Sequence, residues 1–289
     1  MGKASPREWD VIAVTLSLFG SATHVAPLLF IVFCCRLCFL LQIYFNFSSY
    51  KARMAMPAVQ SNATLEGALY HSWDAGCIHF VALNSEDPQE SVDVEPDQIA
   101  WLQADLAQFQ ARRLAGKAKR AASGEVNDGT CSFNAPTFLI VYIHRPLYCS
   151  VAGAEGLQRC TTEGAYLRSK LEALFLEYKV DLVYCGHVHA YERMSGIVNG
   201  VSDPAGPQYI LNGAGGNREG GVGDGWLATP ADWSLVRIGD GPGQPGLGTL
   251  QLINSTTLLW NWYYQTDLAE AVAESGIPKP ADSALILAK

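Results

Sequence analysis

Apolar and polar positions divide this chain into an apolar beginning, an alternating middle and a glycine-rich end. Residues 25–45 read VAPLLFIVFCCRLCFLLQIYF, interrupted by Pro27, Arg36 and Gln42. A run of this length matches the roughly 20 apolar residues that cross a bilayer. A second apolar stretch, residues 11–19, precedes it and follows Lys3 and Arg7. Together they predict a signal peptide or signal-anchor, with membrane association through 25–45 and a secretory, extracellular or membrane-anchored location. Glu8 and Asp10 sit in the expected positive region, and no small-x-small cleavage site follows the run. A second reading therefore stands beside the first: an aberrant start joined to a domain.

From about residue 46 the pattern alternates between buried strands and amphipathic helices. CIHFVAL (77–83) predicts a buried strand, and residues 85–97 an acidic, solvated loop carrying Glu86, Asp87, Glu90, Asp93 and Glu95. Pro96 then opens a helix, with Ile99, Leu102, Leu106 and Phe109 at helical spacing. Residues 111–129 are basic and then Gly/Ser/Asn-rich, which predicts an exposed loop. TFLIVYI (137–143) is the clearest buried strand and runs directly into His144. Residues 167–178 form an amphipathic helix with Leu171, Leu174 and Phe175 on one face. VDLVYC (180–185) is the next strand and runs into Gly186 and His187. After residue 205 come Gly-rich turns and short strands in PQYILNG, GTLQLIN and TLLWNWYY. The expected organisation is an apolar leading segment (1–45), an α/β domain (46–204) and a β-rich C-terminal region (205–289).

The chain has 289 residues, 49% of them hydrophobic and 17% charged, with a net charge of −8. This excludes a disordered chain, and the absence of a dense basic face excludes a nucleic-acid binder. The eight cysteines show no zinc-finger spacing. Cys149 and Cys160 bracket a short polar loop and are the best disulfide candidates. Sequons at Asn46, Asn62 and Asn254 are glycosylation candidates and favour the secretory route.

Among six histidines, His144, His187 and His189 lie at strand ends, where α/β folds place their chemistry. His187 and His189 are two apart, and in an extended segment both imidazoles would face one way. This constellation points to metal ligation, and imidazole suits zinc, iron and manganese.

These residues also carry a resemblance. GHVHAYER (186–193) resembles the last metal motif of purple acid phosphatases, within the metallophosphoesterase superfamily, and VYIH (141–144) their VxxH motif. FSSYKARMAMP (47–57), HSWDAGCIHFVALNSE (71–86), NGAGGNREG (212–220) and NSTTLLWNWYY (254–264) are similar to further stretches of that family. The resemblance implies a partial α/β/β/α sandwich with a C-terminal β-rich portion. It implies phosphate monoester hydrolysis at a dinuclear centre of Fe(III) plus Zn, Mn or Fe(II), where a metal-bound hydroxide attacks phosphorus in line. By position, His144 and His187 would bind the divalent ion and His189 the ferric ion. Tyr191, Glu192 and Arg193 would support and orient these ligands.

Three of the family's five motifs, DxG, GDxxY and GNH(D/E), find no counterpart before residue 47. Asp74-Ala75-Gly76, Gly216-Asn217-Arg218-Glu219 and Gly223-Asp224 look like them but lie in other parts of the pattern and read as structural, as do His71 and His79. Without a bridging carboxylate, three imidazoles do not hold two highly charged cations together. The expectation is at most one divalent metal and a truncated or inactive phosphatase. The alternative is a non-catalytic, truncated or membrane-tethered metal-binding module. No catalytic residue is assigned.

Overall fold

The computed structural model describes residues 9–18, 28–35, 69–87, 91–123, 135–216, 222, 225–238, 245–274 and 278–289. Two sheets face each other. The larger is eight-stranded and mixed, in the order β10-β7-β9-β6-β5-β4-β3, with β8 (Val201–Ser202) paired to β7. Its centre is β4 (Ile78–Leu83), β5 (Phe138–Ile143), β6 (Leu182–Cys185) and β9 (Gln208–Asn212), mutually parallel. β3 (His71–Ala75), β7 (Tyr191–Val198) and β10 (Ser234–Ile238) flank it in antiparallel pairs. The smaller sheet has five strands, in the order β13-β12-β11-β1-β2.

Parallel neighbours need long crossovers, and two helical segments supply them. α1 (Pro96–Ser123) links β4 to β5. Between β5 and β6 run a short turn, α2 (Gly153–Gly156), a π-helical turn (Leu157–Glu163) and α3 (Gly164–Glu177). Residues 111–123, expected as exposed loop, are the second half of α1. Their charges misled: Ala, Arg, Leu and Lys are strong helix formers, and Arg113 is buried over the Phe109 ring.

Each central strand of the larger sheet is apolar on both faces, as a sheet covered on both sides requires. Val81, Leu139, Val141 and Val183 pack under Leu102, Leu106 and Phe109 of α1 and Leu171 and Phe175 of α3. Ile78, Phe80, Phe138, Ile140, Leu182 and Tyr184 face the five-stranded sheet, where they meet Leu250, Leu258, Trp260 and Trp262. A helix layer and two sheet layers result, the α/β part of the expected sandwich with its β-rich C-terminal portion.

The smaller sheet combines both ends of the chain. β11 (Gly246–Asn254), β12 (Thr257–Tyr264) and β13 (Asp282–Leu287) pair antiparallel, and β12 leads into α4 (Gln265–Glu274). β1 (Trp9–Leu18) joins β11 in parallel, and β2 (Leu28–Cys35) closes the edge antiparallel to β1. The described part of the long apolar run is therefore strand, not the membrane-crossing helix that the signal-anchor reading implies. No described helix is long and apolar enough to cross a membrane. Hydropathy alone does not separate a bilayer span from strands that lie in a sheet. The pairing also joins the segments expected as 1–45 and 205–289 within one sheet.

Trp260 and Trp262 are fully buried between the sheets. They fit because β11 offers glycine beside them: a Cβ at Gly248 would lie inside the Trp260 ring, and one at Gly246 inside that of Trp262. Their indole N–H groups have partners, Trp260 on Tyr191 Oη at 2.8 Å and Trp262 on Asn212 Oδ1 at 3.1 Å. Arg193 and Tyr191 reach across to Asp282 on β13, with Arg193 Nε donating at 2.6 Å and Tyr191 at 2.5 Å. Truncating an aromatic of this kind costs about 3–5 kcal/mol in comparable cores.

At the far edge, β3 and β4 are clamped to α1 by charge. His79 Nδ1 lies 2.6 Å from Asp74 Oδ1, and its Nε2 lies 2.9 Å from Asp105 Oδ2. Arg112 also bonds Asp74, Ser72 donates to Asp105, and the imidazole stacks on Phe109. Asp74 is thus structural, and Gly76 (φ 63°) forms the turn beside it. His71 and His79, expected as core or surface residues, are both buried, and burial holds His71 down at about 4. Burial also opposes charge on His79, but the two carboxylates overcome it and raise its pKa. Burial raises Asp74, yet bonds from His79 and Arg112 bring it down to about 2. The sign follows. The His79 contribution is complete below about pH 6.5 and is lost as pH rises through the raised folded value. The Asp74 contribution is present above about pH 4 and is lost toward pH 2. The stability gap between wild type and H79N, measured by urea unfolding, should therefore be larger near about pH 5.5 than near about pH 9. An equal or reversed gap would show that the clamp is not charged.

Candidate metal centre

The parallel pairing of β5 with β6 puts Ile143 opposite Cys185, so the residues that follow leave the sheet at one edge. His144 follows β5 directly. After β6 the chain turns sharply through Gly186, and His187 adopts a left-handed conformation, φ 67°. The segment is thus not extended, and the alternation argument from the sequence does not describe it. Tight turns hold it instead, with Val188 N donating to Gly186 O and Ala190 N to Val188 O, each at 2.8 Å.

This geometry brings His187 Nδ1 to 3.1 Å from His144 Nε2, with the rings 71° apart. Burial lowers the His187 pKa well below its ordinary value, and the neighbouring His144, Arg145, Arg159 and His189 charges lower it further. The imidazole is therefore neutral, the form that ligates metals. His189 follows in the same turns, where its carbonyl accepts from Val222 N at 3.3 Å. His24 lies outside the described residues, His79 belongs to the clamp at the other sheet edge, and His71 stacks on Trp73 in β3.

Behind the pair lies a network that the sequence pattern did not reveal. Arg145 is buried and bidentate on Glu86, with Nε to Oε1 and Nη2 to Oε2 each at 2.7 Å. Its Nη1 donates to Glu163 Oε2 at 2.6 Å and approaches His187 Nε2 at 3.4 Å. Glu163 Oε2 is itself 3.7 Å from His187 Nε2. Glu86 was expected on a solvated face but is buried, because Arg145 compensates it. Glu163 ends the π-helical turn, a feature frequent at functional sites. A charged residue directly after a strand-end histidine was the available signal for Arg145. Nothing local marked its two partners.

Tyr191, Glu192 and Arg193, expected to orient the histidines, have other partners. On β7 their side chains alternate: Tyr191 and Arg193 reach Asp282, while Glu192 accepts from Ser150 N at 3.0 Å, from Ser150 Oγ and from Ser234 Oγ at 2.5 Å. Cys149 and Cys160 are bonded to each other, tying the loop after β5 to the π-helical turn. Cys77 is also disulfide-bonded. Asn254 closes the β11–β12 turn, its Oδ1 accepting from Thr256 N and Oγ1, both at 2.9 Å. Asn46 and Asn62 lie outside the described residues, as does most of the GNRE look-alike.

The dinuclear centre implied by the resemblance does not fit the described residues. A ferric ion requires hard oxygen donors, yet Glu86 and Glu163, the carboxylates bonded to Arg145 beside the pair, are both occupied by it. Among the described residues no group of three or more His, Cys, Asp or Glu is placed to hold a metal. A single divalent ion fits better. Two imidazole nitrogens 3.1 Å apart can converge on one ion, whose bonds to imidazole are about 2.0–2.1 Å long.

Helices over a mixed sheet, a second sheet behind it and histidines at the strand C-termini define a metallophosphoesterase-type α/β sandwich. A family model described as "Iron/zinc purple acid phosphatase-like protein C" matches residues 206–270. Purple acid phosphatase 21 of Arabidopsis thaliana is 32% identical over 231 residues, covering 80% of this chain and 44% of that protein. Acid phosphatase type 7 of Danio rerio is 33% identical over 238 residues, covering 74% of this chain and 46% of that protein. A purple acid phosphatase from yellow lupin (Lupinus luteus) seeds shares the fold at TM-score 0.56 and 21% identity, over 81% of this chain and 34% of that one. Over most of its length the chain is similar to purple acid phosphatases. It spans less than half the length of the curated relatives it matches.

The buried Arg145 network predicts a specific cost. Removing one partner of a buried ion pair destabilises by about 3–5 kcal/mol. E86A should fall at the lower end, because Glu163 remains on Arg145. Chemical denaturation checks this, and a loss near that of an exposed control such as E177A would contradict the pairing.

Proposed function

We propose that this chain is, by descent, a phosphomonoester hydrolase whose described residues hold at most one divalent ion, with little turnover of its own. The observation that carries the reading is the convergence of His144 Nε2 and His187 Nδ1 at the C-terminal ends of two parallel strands. His189, which the resemblance implies as a further ligand, is not grouped with the pair among the described residues. A divalent ion held there would act as a Lewis acid on a phosphoryl oxygen. Burial and the neighbouring positive charges hold the His187 imidazole neutral, and Glu163 of the disulfide-tied π-helical turn stands beside it. The Arg145 guanidinium does not attract phosphate, since Glu86 and Glu163 neutralise it.

That neutralisation favours a second reading, a metal-binding domain without turnover. The bonded Cys149 and Cys160 and the three sequons support a secretory route, because disulfides persist in oxidising compartments.

Purified chain, metal analysis and a chromogenic phosphate monoester at acidic pH test these readings together. About one zinc per chain is expected, lost in H187A, with turnover near background. Two metals per chain with robust turnover and a purple charge-transfer band would overturn the single-ion reading. No bound metal would overturn both.

A further inference from the structure

We propose that β13 is a docking edge for a second copy of this chain, the two strands pairing antiparallel about Leu285 so that one sheet runs through both copies. This is independent of the metal reading.

β13 borders the smaller sheet, with β12 on one side and no described strand on the other. The register fixes which backbone groups face outward. Antiparallel residue pairs alternate between those that exchange hydrogen bonds and those that do not. Ala288 N donates to Thr256 O at 3.0 Å, one pair beyond Thr257 and Leu287. Ile286 and Ala284 are therefore bonded to β12. Leu287, Leu285 and Ser283 point their N–H and C=O groups the other way, to the open side. Such a row is a template for a further strand.

Sheet edges are commonly blunted by charge or by a bulge. Both edges of the larger sheet are. β10 carries Arg237 and a register shift between Ser234 and Val236, and β3 carries Asp74 in its clamp with Arg112. β13 keeps an unbroken register, and its one charge, Asp282, is turned inward onto Arg193 and Tyr191. Lys289, the next charge along the chain, bonds the Ala205 and Gly206 carbonyls. What the edge presents instead is Leu285 and Leu287, 57% and 60% exposed. A charged peptide would find no opposite charge along it, whereas the strand is its own complement. With a two-fold axis at Leu285, that residue exchanges N–H···O=C bonds with its counterpart, and Ser283 does so with Leu287 of the other copy. Paired residues share a face, so Leu285 packs on Leu285 and Leu287 reaches the same leucines diagonally. Main-chain bonds supply the affinity of such strand additions, and side chains their specificity. An isologous contact of this kind closes at two copies.

Sedimentation velocity on the full chain over a concentration series reads the assembly. The wild type should pass from monomer to dimer and stop there. L285P removes an outward N–H that β12 does not use, and L285K sets like charges against each other across the axis. Both should stay monomeric at concentrations where the wild type is dimeric. Cross-linking gives a second readout that needs neither variant. Under mild oxidation L285C should trap a disulfide-linked dimer, while L235C, at a position on β10 that is also exposed, should not. A wild type that is monomeric throughout leaves the edge to some other strand and overturns the proposal. So does a dimer that survives both L285P and L285K, growth beyond the dimer, or equal cross-linking of L285C and L235C.

Discussion

Parallel pairing of β5 and β6 is the constraint on which the candidate site depends. Parallel strands end at the same edge of a sheet, so whatever follows them is brought together regardless of separation in sequence. His144 and His187 are 43 positions apart and meet because Ile143 lies opposite Cys185. The register is fixed by burial on both faces: a shift of one residue would send Leu139 and Val141 toward the second sheet and Phe138 and Ile140 toward the helices. The second sheet, with Trp260 and Trp262 seated over glycine, holds one face. α1 and α3 hold the other. The site is thus a by-product of a core that would pack the same way without it.

Around that edge the charges satisfy one another. Arg145 neutralises two carboxylates in a buried setting and thereby withdraws from the histidines the oxygen donors that a ferric ion would need. One network therefore explains why the carboxylates beside the pair offer no free oxygen donors to a dinuclear centre.

Much of this was legible in the sequence. Apolar runs of strand length ending in His144 and His187 gave the strands, their burial and the pair, because periodicity reports burial directly. The likeness to purple acid phosphatases followed from the same strings. Two features misled for physical reasons. Residues 111–123 are charged, and charge reads as loop, although Ala, Arg and Lys also build helices. The 25–45 run is apolar, and apolarity does not distinguish lipid from a sheet. The partners of Arg145 were invisible because they come from 59 residues before it and 18 after it, and nothing local to Glu86 or Glu163 announces burial. The left-handed turn at His187 was hidden for a similar reason, since it is set by Gly186 and by the sheet edge rather than by the histidine.

The central claim is that β5 and β6 deliver two imidazoles to one divalent ion. Zinc affinity of H144A, H187A and the double variant tests it most directly. Ligands of one ion are coupled, so each single change should remove most of the affinity and the double variant should lose little more. Single variants that bind zinc like the wild type, or losses that simply add, would contradict it.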